Sequence, residues 1–364
     1  MSDGSPVSTL GLTTWRQSNN VKSFLLLAAF PVLLLLLLGA IFFLFGLFMG
    51  AGRYDYGYGP WREFGIQPVL GTGGPLDLAL SAIVAWWPIV FGAAAIWVLI
   101  GYLFNDAIIH MATGARPVTR QEQPQLYNLL ENLCISRGLA TPKLYIIDSD
   151  VMNAYASGID NKSYAITVTS GLLATLNRDE IEAVLAHEFT HIIDRDTRLL
   201  IITIVFVGMI SFLAQLLWSS MRFAAFTRDR SRKGGGAIIL VLIAAVVMFI
   251  GYMLALVLRF ALSRRRELLA DAGSVALTKN PDALIAALLK ISKNAELPHV
   301  PSEVRQMFFE NPPSFFDLGG LFATHPSIEK RVQILQQLGG HLPDLEPAAE
   351  TGTPAPQPQH GPWG

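Results

Sequence analysis

The stretch AVLAHEFTHIIDRDTRLLIITIVFVGMISFLAQLLW, residues 183–218, decides the fold. Its first half carries two histidines and a glutamate as HEFTH. Its second half, from Leu199 onward, has no ionisable side chain until after Met221. A metal-binding pattern therefore abuts a run long enough to cross a bilayer. On a helix, positions i and i+4 share a face, so His187 and His191 can hold one ion together. Glu188 projects beside that ion and can take a proton from an attacking water. Imidazole ligands and tetrahedral geometry suit zinc, which polarises carbonyls and acidifies water. Such a set hydrolyses amide bonds. The competing reading is two ordinary histidines around a salt-bridging glutamate.

Working outward, Asn177 can cap the HEFTH helix, with Glu180 three residues on as in a capping box. Upstream, KLYII (143–147), MNAYAS (152–157) and SYAITVT (163–169) read as short strands separated by turn-forming DSD and GIDNK. Residues 122–138 carry Leu126, Leu129, Leu130 and Leu133 at helical spacing. Cys134 is the one cysteine, which excludes internal disulfides and a thiolate metal cluster and leaves it a packing role.

The chain of 364 residues is 52% hydrophobic and 15% charged, against about 25% charged for soluble domains. The deficit falls in four charge-free windows, 24–50, 78–104, 199–221 and 234–258. Each exceeds the roughly 20 residues a helix needs to span the hydrocarbon layer. The later pair has a second reading, a hydrophobic hairpin that enters the bilayer only partly. The first window is too long for a signal-peptide core and reads as an uncleaved anchor. A net charge of -1 gives no global argument for nucleic-acid binding. The spans carry no charged side chain to line a path, which argues against a transporter.

A catalytic zinc takes three protein ligands and keeps one open position. No further histidine stands close downstream. After the fourth window comes LSRRRELLADAGS, where Glu267 and Asp271 share a helical face. Glu267 could ligate the ion, and Asp271 could hydrogen-bond the far nitrogen of a ligating histidine. Alternatively, Glu267 pairs with Arg264 or Arg265. Asp194 and Asp196 read as capping or solvating the end of the HEFTH helix.

Taken together, MNAYASG (152–158), HEFTH (187–191), RRRELLADAGS (264–274) and ATHPSIEKR (323–331) resemble the M48 family of zinc metalloproteases. Within it, they are most similar to the HtpX-like group of bacterial membrane-bound heat-shock proteases. The resemblance covers roughly 115–340 plus the four-span plan. It implies an α+β fold: a mostly helical, gluzincin-like protease domain with a small sheet, attached to about four transmembrane helices. It implies one zinc per chain on His187, His191 and Glu267, with Glu188 activating the water. Substrates would be misfolded or membrane-embedded proteins. In similar proteases an edge strand pairs with the substrate backbone, which here points to Asn153 and Ala154; the alternative is an ordinary exposed edge. In THPSIEKR, His325 or Arg331 could stabilise a developing oxyanion, or Arg331 could simply pair with an acidic residue.

The expected organisation is a polar segment (1–23), a first transmembrane pair with an exposed loop (24–104), and a first protease part (105–198). A second apolar pair (199–258), a second protease part (259–342) and a Pro-rich disordered tail (343–364) follow. Arg16, Lys22, Arg116, Arg120, Arg195, Arg198, Arg259 and Arg264 to Arg266 flank the spans on the protease side, and their number favours a cytoplasmic active site in a bacterial plasma membrane. The basic residues of 219–236 argue the other way. A different class of function is a non-catalytic scaffold or holdase retaining the zinc fold, which has no need of Glu188.

Overall fold

The computed structural model describes residues 9–49, 65–226, 265–292 and 326–342, with 245, 249 and 251 singly. In chain order the elements are α1 (Thr9–Met49), α2 (Pro75–Thr113), β1 (Arg116–Pro117), α3 (Pro124–Arg137), β2 (Lys143–Ile147), β3 (Ala154–Ser157), β4 (Ala165–Thr169), α4 (Ser170–Thr175), α5 (Arg178–Ile193), α6 (Asp196–Phe226), α7 (Arg265–Thr278), α8 (Pro281–Ile291) and α9 (Ile328–Gln337). The fold is α+β and mostly helical.

The strands form one sheet in the order β1-β2-β4-β3. β2 runs parallel to β4, while β1 and β3 pair antiparallel at the two edges. The stripe on α3 buries Leu126, Leu129, Leu130 and Leu133 in a core shared with α5, α8 and α9. Cys134 packs in the same core, and burial pushes its thiol up to about 11. Asn177 and Glu180 form both halves of the capping box that starts α5. Lys290 of α8 also donates to Glu180 at 2.8 Å, fixing α8 against that end of α5.

Among the described residues, three helices carry stretches long and apolar enough to cross a membrane: Gln17–Leu47, Pro75–Thr113 and Asp196–Leu213. Their outward surfaces expose Phe24, Leu36, Ile89, Ile96 and Leu103, an apolar belt that hydrocarbon solvates and water does not. α2 begins at Pro75, three residues before the second charge-free window, and Asp77 is buried accepting backbone N–H bonds from Val69, Leu70 and Gly73. The helices pack closely. Phe30 and Phe206 stack with centroids 4.1 Å apart, and a Cβ on Gly101 would lie 2.6 Å from Val205. Of the fourth apolar window, Gly251 lies against Ile210 of α6; most of the window is outside the described residues. The Pro-rich tail and His325 are outside them too.

The spans meet the protease part at one end. Asn19 at the start of α1 bonds to Asp194 and Asp196, and Tyr102 in the last third of α2 bonds to Asp160. The chain leaves the domain along α6 and is back in it by α7, which packs along α5.

Candidate metal centre

α5 presents His187 and His191 on one face, as the spacing requires. α7 lies across that face because two small contacts let the backbones approach. Gly273 of α7 sits against Thr190, and Ser274 donates to the Ala183 carbonyl at 2.7 Å. This packing delivers Glu267. Its Oε2 is 3.6 Å from His187 Nε2, its Oε1 is 3.8 Å from His191 Nε2, and the two Nε2 atoms are 3.2 Å apart. All three residues are buried. Donors about 2.0–2.1 Å from a tetrahedral ion stand about 3.3 Å from one another. The observed separations bracket that value, so the donor set fits a metal.

Each histidine is held from behind. Asp271 Oδ1 is 3.0 Å from His187 Nδ1. Arg331, fully buried, donates to both oxygens of Asp271 at 2.9 and 2.7 Å. Burial works against the Asp271 charge, but Arg331 and then His187 outweigh it and hold the carboxyl below its usual range. Asp196 Oδ2 is 2.9 Å from His191 Nδ1, and Asn19 of α1 donates to Asp196 Oδ1 at 2.6 Å. Burial opposes charge on His191 as well, yet the carboxylates of Glu267 and Asp196 push its imidazole up to about 9. The surroundings call for positive charge at this point, as a cation site does.

Glu188 stands apart from these pairings. Both of its carboxylate oxygens are buried without a hydrogen-bond partner of ordinary geometry among the described residues. Burial raises its pKa; the neighbouring histidines and the Ala156 backbone of β3 oppose that rise. A buried carboxylate left in this state costs stability, which marks it as serving something other than the fold.

The structure thus brings His187, Glu188, His191, Glu267 and Asp271 into one cluster. Glu267 does have an arginine partner, but it is Arg266, whose Nε donates at 3.0 Å. Arg331 pairs with an acidic residue, Asp271, and its guanidinium stands behind His187. Asn153 and Ala154 lie at the start of the edge strand β3, but the edge is not an exposed one: all four of its residues are buried. Asp194 and Asp196 are buried rather than solvated, because Asn19 reaches them from α1. The sequence reading passed over Asp196 and Asn19 as parts of the site.

Residues 120–338 match the model of Peptidase family M48, and the chain belongs to that family. It is a membrane protease. The chain is 42% identical over 334 residues to a protein of Bacteroides fragilis named Protease HtpX homolog, covering 90% of this chain and 99% of that one. It is 39% identical over 239 residues to a homologue of the same name from Dictyoglomus turgidum, covering 65% of this chain and 77% of that one. Among solved structures, S. mikatae Ste24p aligns with a TM-score of 0.44 at 20% identity, over 69% of this chain and 58% of that chain.

Proposed function

We propose that this chain is a zinc-dependent endopeptidase of a bacterial plasma membrane that cleaves misfolded or membrane-derived polypeptides, with its site on the cytoplasmic side. The observation that supports this reading is the cluster itself: three buried ligand-type groups at metal-site spacing, beside a buried carboxylate that forms no salt bridge among the described residues. His187, His191 and Glu267 would hold one zinc, which when bound supplies Lewis acidity toward the scissile carbonyl and the attacking water. Asp271 and Asp196 orient the two imidazoles. Glu188 takes the proton from the attacking water as its oxygen bonds to the carbonyl carbon. It then delivers that proton to the amide nitrogen as the C–N bond breaks. β3, with Asn153 and Ala154 at its start, would align an extended substrate through backbone hydrogen bonds. Arg331 is engaged with Asp271, which leaves His325, outside the described residues, as the other candidate for the developing oxyanion or for a structural role. The organisation into two protease parts split by a second apolar pair belongs to the same reading.

The test compares detergent-purified parent and Glu188→Gln on an unfolded protein, with zinc or with chelator. The parent should cleave only with metal. The variant should keep its zinc and lose about 10²–10⁴-fold in rate. Equal cleavage by both removes Glu188 as the base; loss of zinc from the variant makes it a ligand instead. A scaffold reading gains nothing from a buried, unpartnered Glu188.

A further inference from the structure

On the far face of α5 from the metal cluster lies a cavity of about 480 Å³. Its walls come from Phe189, Ile192 and Ile193 of α5, the 159–164 turn, Tyr102 of α2, and Arg195 and Arg198 where α6 begins. A second, apolar groove of about 100 Å³ runs on from it between the spans, walled by Leu27 of α1, Val98 of α2, and Val205 and Phe206 of α6. Tyr102, Ile159 and Arg198 belong to both walls, so the two spaces adjoin.

Three cations face the upper cavity: Lys162, Arg195 and Arg198. Arg195 donates to Asn20 at 2.8 Å. Arg198 has its Nε buried with no hydrogen-bond partner among the described residues. The one carboxylate in the wall, Asp160, already accepts from Tyr102 at 2.8 Å and from the backbone of Lys162 and Ser163. The cavity lining is therefore net positive. It also sits where the candidate spans meet the protease part. From Arg198 to Phe206 is eight residues, about 12 Å along the helix, most of the depth of one hydrocarbon leaflet.

We propose that this compound cavity binds one anionic phospholipid. Its phosphate lies against Arg198 and Lys162, and an acyl chain lies in the groove lined by Val98, Val205 and Phe206. Arginine forks match phosphate oxygens, and a groove open to hydrocarbon but capped by cations selects an amphiphile over a soluble anion. The lipid would cement α2 and α6 to the 159–164 turn.

The experiment is native mass spectrometry of the full chain released from nanodiscs of phosphatidylglycerol, phosphatidylcholine, or an equal mixture. Parent protein should retain one phosphatidylglycerol, preferred at least tenfold over phosphatidylcholine. Arg198→Gln with Lys162→Gln should lower retention about 10–30-fold, with a parent-like thermal unfolding transition in detergent as the check on folding. Val98→Phe, which fills the groove and leaves every charge in place, should also lower it. Equal retention of the two lipids, or unchanged retention by both variants, overturns the proposal. So does displacement of the lipid by millimolar inorganic phosphate or glycerol phosphate, which would make the cavity a soluble-anion site. None of these outcomes depends on Glu188 or on zinc, so failure here is distinct from failure of the protease reading.

Discussion

Replacing Gly273 by alanine tests whether the α5–α7 approach is what assembles the site. A Cβ at 273 would lie 2.4 Å from Thr190 Cγ2, 2.6 Å from its Oγ1 and 3.0 Å from its Cβ. Carbon pairs rest at about 3.5–4.0 Å. Thr190 cannot swing aside easily, because it is β-branched and its hydroxyl donates to the Ala186 carbonyl at 2.8 Å. α7 must therefore retreat by about 1 Å. Metal bonds tolerate only about 0.2 Å, and Glu267 rides on α7 while both histidines ride on α5. Zinc affinity should fall about 100-fold, with a stability loss of about 1–3 kcal/mol from overpacking. The assay is a competitive chelator titration of zinc alongside thermal unfolding. Thr190→Ala removes the two nearest atoms and should restore much of the affinity in the double variant. Gly208→Ala, where a Cβ meets nothing within 4 Å, serves as the silent control. Parent-like zinc affinity in Gly273→Ala would refute the idea that this contact sets the ligand geometry, as would a double variant no better than the single one.

Three further outcomes are expected. Arg331→Ala strands the buried Asp271 carboxylate and should cost about 3–5 kcal/mol, read as a lowered melting temperature; Arg331→Lys should recover only part, since it cannot make both bonds, and an unchanged melt for the alanine variant contradicts the pairing. Asn19→Ala should weaken zinc binding by about tenfold through Asp196 and His191, and Asn19→Asp should weaken it further by placing a second carboxylate there; chelator titration in the same detergent decides. Cys134, its thiol pushed up to about 11 by burial, should resist iodoacetamide at pH 8 in the folded protein and react after denaturation; rapid labelling of the native chain would show that the α3 core is open.

What the sequence made legible was local. HEFTH lies on one helix, and Asn177 and Glu180 cap that helix within a single turn, so spacing alone placed the two histidines together. The three longer strands are short β-rich runs between turn residues. Glu267 was visible only as a candidate, because a contact across 80 residues depends on how two helices pack, and the deciding residue there is a glycine. Asp196 was not visible as a partner of His191. The helical period breaks between them, and Arg195 at φ 60 turns the chain so that Asp196 faces back. Arg331 reached Asp271 across 60 residues, and Asn19 reached Asp196 across 177. No periodicity carries such information. The covered edge at β3 was hidden too, since AYAS is buried on both faces and shows no alternation.

The turn at Asp194–Asp196 explains why a metal site stands beside a membrane span. α5 ends at Ile193 and α6 begins at Asp196, so two residues separate the helix that carries both histidines from a helix that enters the bilayer. The first residue of that span is bonded to His191, and the residue that steadies it, Asn19, comes from another membrane helix. The position of the cluster relative to α1 and α6 is consequently held by the same hydrogen bonds that orient its imidazole. Tilting or shifting α1 against α6 has to disturb Asp196, together with the bonds from Asn19 to Asp194 and from Arg195 to Asn20. On the reading proposed above, a scissile bond must come to the cluster where α5 meets the span that begins at Asp196. On that reading, a polypeptide segment lying unfolded at the bilayer surface is the substrate this junction suits.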